Sequence, residues 1–123
     1  MNKILCCFLF LTMATFGRPT HAQEVFLDGF PDVPLLEGVT ELTEERIVFD
    51  TLGGTVAQTE LSTPTTAKET ITRYSAELPT FGWECTLIKH TLRCNLEGNL
   101  LLITDSNPNE KPGRIILRLE PTK

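Results

Sequence analysis

Histidine is scarce in this chain: two in 123 residues, His21 and His90. Only His90 lies beyond the first 22 residues, and one imidazole makes neither a zinc site nor a Ser-His-Asp relay without other ligands or an orienting carboxylate. No H-E-x-x-H, G-x-S-x-G or Cys-x-x-Cys pattern occurs, which removes the common metallohydrolase, serine-hydrolase and thiol-exchange signatures. Basic residues are also few, 11 against 16 acidic, for a net charge of −5. Nucleic acid and anionic membrane surfaces call for clustered Lys and Arg, so neither is an expected partner. The most apolar stretch, residues 4–13 (ILCCFLFLTM), is about half the roughly 20 residues of a membrane-spanning helix.

That stretch has a different meaning. Lys3 precedes it, and Thr20-His21-Ala22 places small residues three before and directly before a cut ahead of Gln23. This is the pattern of a cleaved secretory signal. Cys6 and Cys7 come too early, and without small neighbours, to be a lipoprotein attachment site. Residues 1–22 are therefore expected to be removed, leaving an exported chain of residues 23–123 with no stable membrane insertion. The cut takes away Lys3 and Arg18 but no acid, so the mature charge moves from −5 to −7.

Of four cysteines, Cys85 and Cys94 remain after that cut. In an oxidising compartment, two cysteines in one small domain read as a disulfide. A hairpin centred on Lys89-His90 sets Cys85 opposite Cys94, Trp83 opposite Leu96 and Leu87 opposite Leu92. All six then share one face of the sheet, an agreement that a one-residue slip would destroy. The alternative is a pair of buried free thiols. As a bridge, the short loop contributes about 2–3 kcal/mol by the chain-entropy argument.

Residues 23–42 form an extended apolar strap, with Phe26, Leu27, Phe30, Val33, Leu35 and Leu36 set among Pro31 and Pro34, whose spacing excludes a regular helix. The strap either packs along the domain or presents a sticky surface. A single domain over 43–123 follows. Arg46–Thr51 and Thr55–Leu61 read as strands joined at Gly53-Gly54. The glycine pair lacks the Lys-Ser/Thr of a phosphate loop. A helix is expected from about Thr65 to Leu78, with Thr66 and Glu69 as a capping box and Ala67, Ile71, Tyr74 and Leu78 on one face. Strands follow at 83–88, 91–96, 100–104 and 113–120; the fifth of the six strands, 100–104, is apolar on both faces and reads as central. The fold class is α+β: one amphipathic helix packed on an antiparallel sheet, in the order ββαββββ.

Three segments together resemble small exported proteins of alphaproteobacteria whose function is not assigned. They are Asp32-Val33-Pro34-Leu35-Leu36-Glu37-Gly38-Val39, Val48-Phe49-Asp50-Thr51 with Gly54, and Tyr74-x3-Leu78-Pro79-x2-Gly82-Trp83. Gly54-Thr55-Val56 stands where those proteins carry G-R-I, so no role of that arginine transfers. The resemblance spans most of residues 32–83. It implies a periplasmic α+β domain and brings no catalytic residue.

Other candidate chemistry is weak. Asp105, Asn107 and Asn109 alternate like the start of a calcium loop, but Glu110 and Ile116 occupy positions where such a loop has glycine and glutamate. Glu37, Glu41, Glu44, Glu45 and Asp50 could attract a cation or a basic partner, and their ordinary reading is a solvated acidic face. Paired carboxylates could in principle cleave glycosides, but spacing along a chain does not set their separation. No catalytic residue, metal or cofactor is expected. The expected function is a non-catalytic binding or accessory module for an unknown protein partner in the periplasm, touching it through Phe26, Phe30 and Leu35 or through a sheet edge. The alternative is an inhibitor of an exported hydrolase, inserting Lys89 and His90. The exported protein should begin at Gln23 and lose two hydrogens relative to its reduced form, which intact mass spectrometry with and without reductant measures directly.

Overall fold

A computed structural model describes residues 25–105, 107 and 109–122, so the expected signal, residues 1–22, lies outside the described residues. Six strands form one antiparallel sheet: β1 (Thr40–Thr51), β2 (Gly54–Thr63), β3 (Glu84–Ile88), β4 (Thr91–Leu96), β5 (Asn99–Asp105) and β6 (Gly113–Pro121). A helix, α1 (Ala67–Glu77), falls between β2 and β3, giving the order ββαββββ. Across the sheet the strands run β1-β2-β6-β5-β4-β3. The last strand in the chain is thus central, and β5 beside it buries both Leu100 and Leu101, as a run apolar on both faces requires.

The β3–β4 hairpin adopts the expected register, with Cys85 opposite Cys94 and Leu87 opposite Leu92. The two cysteines form a disulfide. Leu92 and Cys94 are buried on the core face with Leu101, Ile103, Ile115 and Leu117 from the neighbouring strands. β1 opens at Thr40, earlier than the expected strand. Its register breaks between Leu42 and Ile47, where four residues bulge opposite Thr59 alone, and a bulge of this kind re-aims the strand beyond it.

Helix α1 begins where its sequence says it should. The Thr66 hydroxyl accepts a hydrogen bond from the Glu69 amide at 3.2 Å, satisfying one of the free donors of the first turn. Ala67, Ile71 and Tyr74 face the core, and so does Leu78, which starts a short 3-10 turn, Leu78–Phe81. Gly82 ends that turn at φ 98°, a conformation glycine takes without strain. Thr70 is also buried, and its hydroxyl donates to Thr63 Oγ1 at 2.7 Å. Gly113 lies so close to the helix start that an added Cβ would sit 2.4 Å from the Ala67 amide nitrogen; its own amide donates to the Thr65 carbonyl.

The strap supplies much of the core. Phe30 and Val33 are wholly buried, Leu27 and Leu36 nearly so. The segment folds back on itself, pairing Phe26 with Pro34 and donating from Leu27 N to Val33 O and from Leu35 N to Val25 O. Two aromatic side chains grip its backbone. The Tyr74 hydroxyl donates to the Pro34 carbonyl at 2.8 Å, and the Trp83 indole donates to the Asp32 carbonyl at 2.9 Å. The segments Asp32–Gly38 and Tyr74–Trp83, far apart in the sequence, are thus two sides of one contact.

Burial pushes the Tyr74 phenol above its ordinary value of 10. The folded protein keeps that proton where the unfolded chain has lost it. The linked stability is therefore full below the unfolded phenol value of about 10 and falls as pH rises toward the folded one. Tyr74→Phe should reduce this alkaline loss, and at neutral pH it should cost about 1–3 kcal/mol by taking a donor from a buried carbonyl. Urea unfolding of both proteins at neutral and alkaline pH measures the two effects. Tyr74 is the only tyrosine, so tyrosinate absorbance reports its ionisation alone.

Candidate binding surface

The structure separates the three strap residues expected to form one contact surface. Phe30 is in the core with no exposed area and Leu35 is half-buried against the core, because the fold-back turns the apolar side of the strap inward. Phe26 is 46% exposed and meets Phe81 edge-on, with ring centroids 5.4 Å apart. A partner could touch Phe26, but Phe30 cannot contribute without opening the domain.

Exposed apolar side chains gather instead on β1 beyond its bulge. Ile47, Val48 and Phe49 are about half exposed, and Leu52 in the following turn is fully so. Among the described residues β1 is an edge strand, paired only with β2, and no described strand neighbours its outer backbone groups. Sheet edges are commonly kept apart by shortness, charge, proline or bulges. β3, the opposite edge, is short at five residues. β1 has its bulge and its charges at residues 43–46, and the stretch from Ile47 to Phe49 has neither.

The bulge is held by an ion pair that the sequence did not single out. Arg46 Nε donates to Glu41 Oε2 at 2.9 Å, and its terminal nitrogen NH1 donates to Asp28 of the strap at 3.1 Å. The buried Thr59 hydroxyl donates to the same Glu41 oxygen at 2.7 Å. Hydrogen bonds to Glu41 raise the Arg46 guanidinium further above its already high value, against a smaller opposing effect of desolvation. Glu41 thus belongs to the scaffold, while Glu37, Glu44, Glu45 and Asp50 are exposed. Among the described residues, no three His, Cys, Asp or Glu side chains converge as metal ligands would.

The hairpin tip is the second exposed feature. Lys89 turns the chain at φ 57°, and Lys89, His90, Leu87 and Ile88 are all exposed. Lys68, Ile71 and Thr72 of α1 face Leu87, Lys89, His90 and Asp105 across a cavity of about 250 Å³. Oδ2 of Asp105 is buried there and finds no hydrogen-bond partner among the described residues. Asp105 and His90 line the same cavity, yet no hydrogen bond joins them in the described structure, and the hydroxyl of Thr72 is directed to the Lys68 carbonyl. The cavity therefore presents charges of both signs over an apolar floor, with no assembled nucleophile and base. Asn107 and Asn109 of the following loop are exposed; Ser106 and Pro108 lie outside the described residues.

No family model, curated protein or solved structure matches this chain.

Glu41→Ala should destabilise the domain by about 1.5–3 kcal/mol, since it strips a charged acceptor from both Arg46 and a buried hydroxyl. Glu44→Ala, at an exposed position, should stay within about 0.5 kcal/mol of the parent. Denaturant titration of the two variants side by side measures the difference.

Proposed function

We propose that this chain is a non-catalytic binding or accessory module of the periplasm, and that it holds a protein partner through the free edge of β1. The observation that carries this reading is the run Ile47-Val48-Phe49, half exposed on an edge strand whose outer hydrogen-bonding groups have no neighbouring strand among the described residues. An added strand would satisfy those groups and cover the apolar side chains, the mode known as β-augmentation. The disulfide between Cys85 and Cys94 supports an oxidising compartment. No described helix is long and apolar enough to cross a membrane.

A second reading, inhibition of an exported hydrolase, is favoured by one observation. The Lys89-His90 tip projects beyond a disulfide-tied hairpin and is flanked by the exposed apolar pair Leu87 and Ile88. Such a tip is a stiff wedge that loses little conformational freedom on entering a cleft.

A photoreactive side chain at position 49 should crosslink to a defined protein in the periplasm, and one at position 86 on the opposite edge should not. Capture from position 90 alone would move the contact to the hairpin tip and support the inhibitor. Absence of any adduct from all three positions would end the binding-module reading.

A further inference from the structure

We propose that the partner at this edge is a second copy of the chain, with β1 pairing antiparallel to β1 about a two-fold axis passing through Val48. The proposal rests on the reading of the β1 edge as the contact surface and adds the identity of what covers it.

The argument is one of register. In a two-fold antiparallel pair a residue and its opposite share a face, so the pairing joins residues an even number apart along the sequence, and each contact occurs twice. With the axis at Val48, Val48 meets itself, Ile47 meets Phe49, and Arg46 meets Asp50. Apolar groups are then matched with apolar groups, and unlike charges with each other. Moving the axis to Ile47 would put Glu45 against Phe49 and Glu44 against Asp50. Moving it to Phe49 would put Val48 against Asp50 and Arg46 against Leu52. Over residues 45–51 only the axis at Val48 avoids apolar–charged pairs, with Glu45 then facing Thr51; one step further out it sets Glu44 beside Leu52, at the turn.

The side chains are available for it. Ile47, Val48 and Phe49 are 54%, 53% and 45% exposed, and no described segment pairs with the outer side of β1. Asp50 accepts from Thr55 through one carboxylate oxygen, Oδ1, which leaves the other for a donor across the interface. Arg46 keeps its contacts to Glu41 through Nε and NH2, while its NH1 bonds to Asp28, a side chain that is 93% exposed. That outer nitrogen can exchange Asp28 for the second copy's carboxylate without disturbing the Glu41 pair. The bulge, whose last residue is Arg46, limits the paired stretch to residues 46–50, so the dimer is expected to be reversible rather than obligate.

Two measurements test this on residues 23–123 with the native disulfide intact. Sedimentation velocity over a wide concentration range should show a monomer–dimer equilibrium, and Val48→Lys, which sets two ammonium groups face to face, should weaken it at least about tenfold. Leu87→Lys, on the opposite edge, should leave it unchanged. The second measurement is covalent. Directly opposed residues in an antiparallel pair lie within the Cα separation that a disulfide spans, so Val48→Cys should oxidise to a dimer much faster than Ile47→Cys or Phe49→Cys. A parent chain that stays monomeric, or equal oxidation of the three cysteine variants, overturns the proposal. If the purified chain is monomeric while position 49 still crosslinks to another protein in cells, self-association fails and the binding-module reading stands; if no adduct forms either, both fail.

Discussion

Two hydrogen bonds from aromatic side chains to the backbone of the strap bind the two halves of the chain together. Tyr74 and Trp83 sit at either end of the segment that closes α1 and enters β3, and they donate to the carbonyls of Pro34 and Asp32. Both acceptors belong to a proline-broken stretch; Pro34 is buried, so its carbonyl without Tyr74 would be stranded at a cost, while Asp32 is exposed and its carbonyl serves to seat the buried Trp83. The same grip sets Phe30 and Val33 against the sheet. Core filling, helix position and strap path are thus one arrangement. Loosening it would expose the core where the sheet alone cannot cover it.

Around that clasp the molecule divides its polar groups with care. Thr59, Thr63 and Thr70 are buried, and each hydroxyl finds a partner. Glu41 and Arg46, partly buried in the bulge, satisfy one another and Thr59. The contrast with the outer half of β1 is what gives that edge its meaning: interior polar groups are paired, while an apolar run with open backbone groups faces outward. Asp105 Oδ2 is the other departure, at the cavity beside the hairpin tip.

How much of this could be read in the chain depended on whether the deciding contact left a local trace. The hairpin did, because two cysteines and two apolar pairs agree on a single register around Lys89-His90. The helix did as well, through Thr66 and the spacing of Ala67, Ile71, Tyr74 and Leu78. The strap did not. Its prolines announce extension, but its acceptors are main-chain carbonyls, which look the same at every residue. The outer edge was hidden for another reason: Ile47-Val48-Phe49 reads identically in a central and an edge strand, and strand order is settled by pairings distant in sequence. Glu41 resembled its acidic neighbours until the bulge brought Arg46 and Thr59 to it.

The position of β6 bears on how the chain can be made. It is the last strand in sequence, only nine residues long, yet it is the one that bonds β2 on one side and β5 on the other. A chain that emerges amino-terminus first therefore owns two separate hairpin-like fragments and no continuous sheet until residues 113–121 arrive. Long-range pairing of that kind makes closure of the sheet wait for those residues. Until then the strap, already synthesised, has no finished floor to lie on, and its apolar side chains wait uncovered.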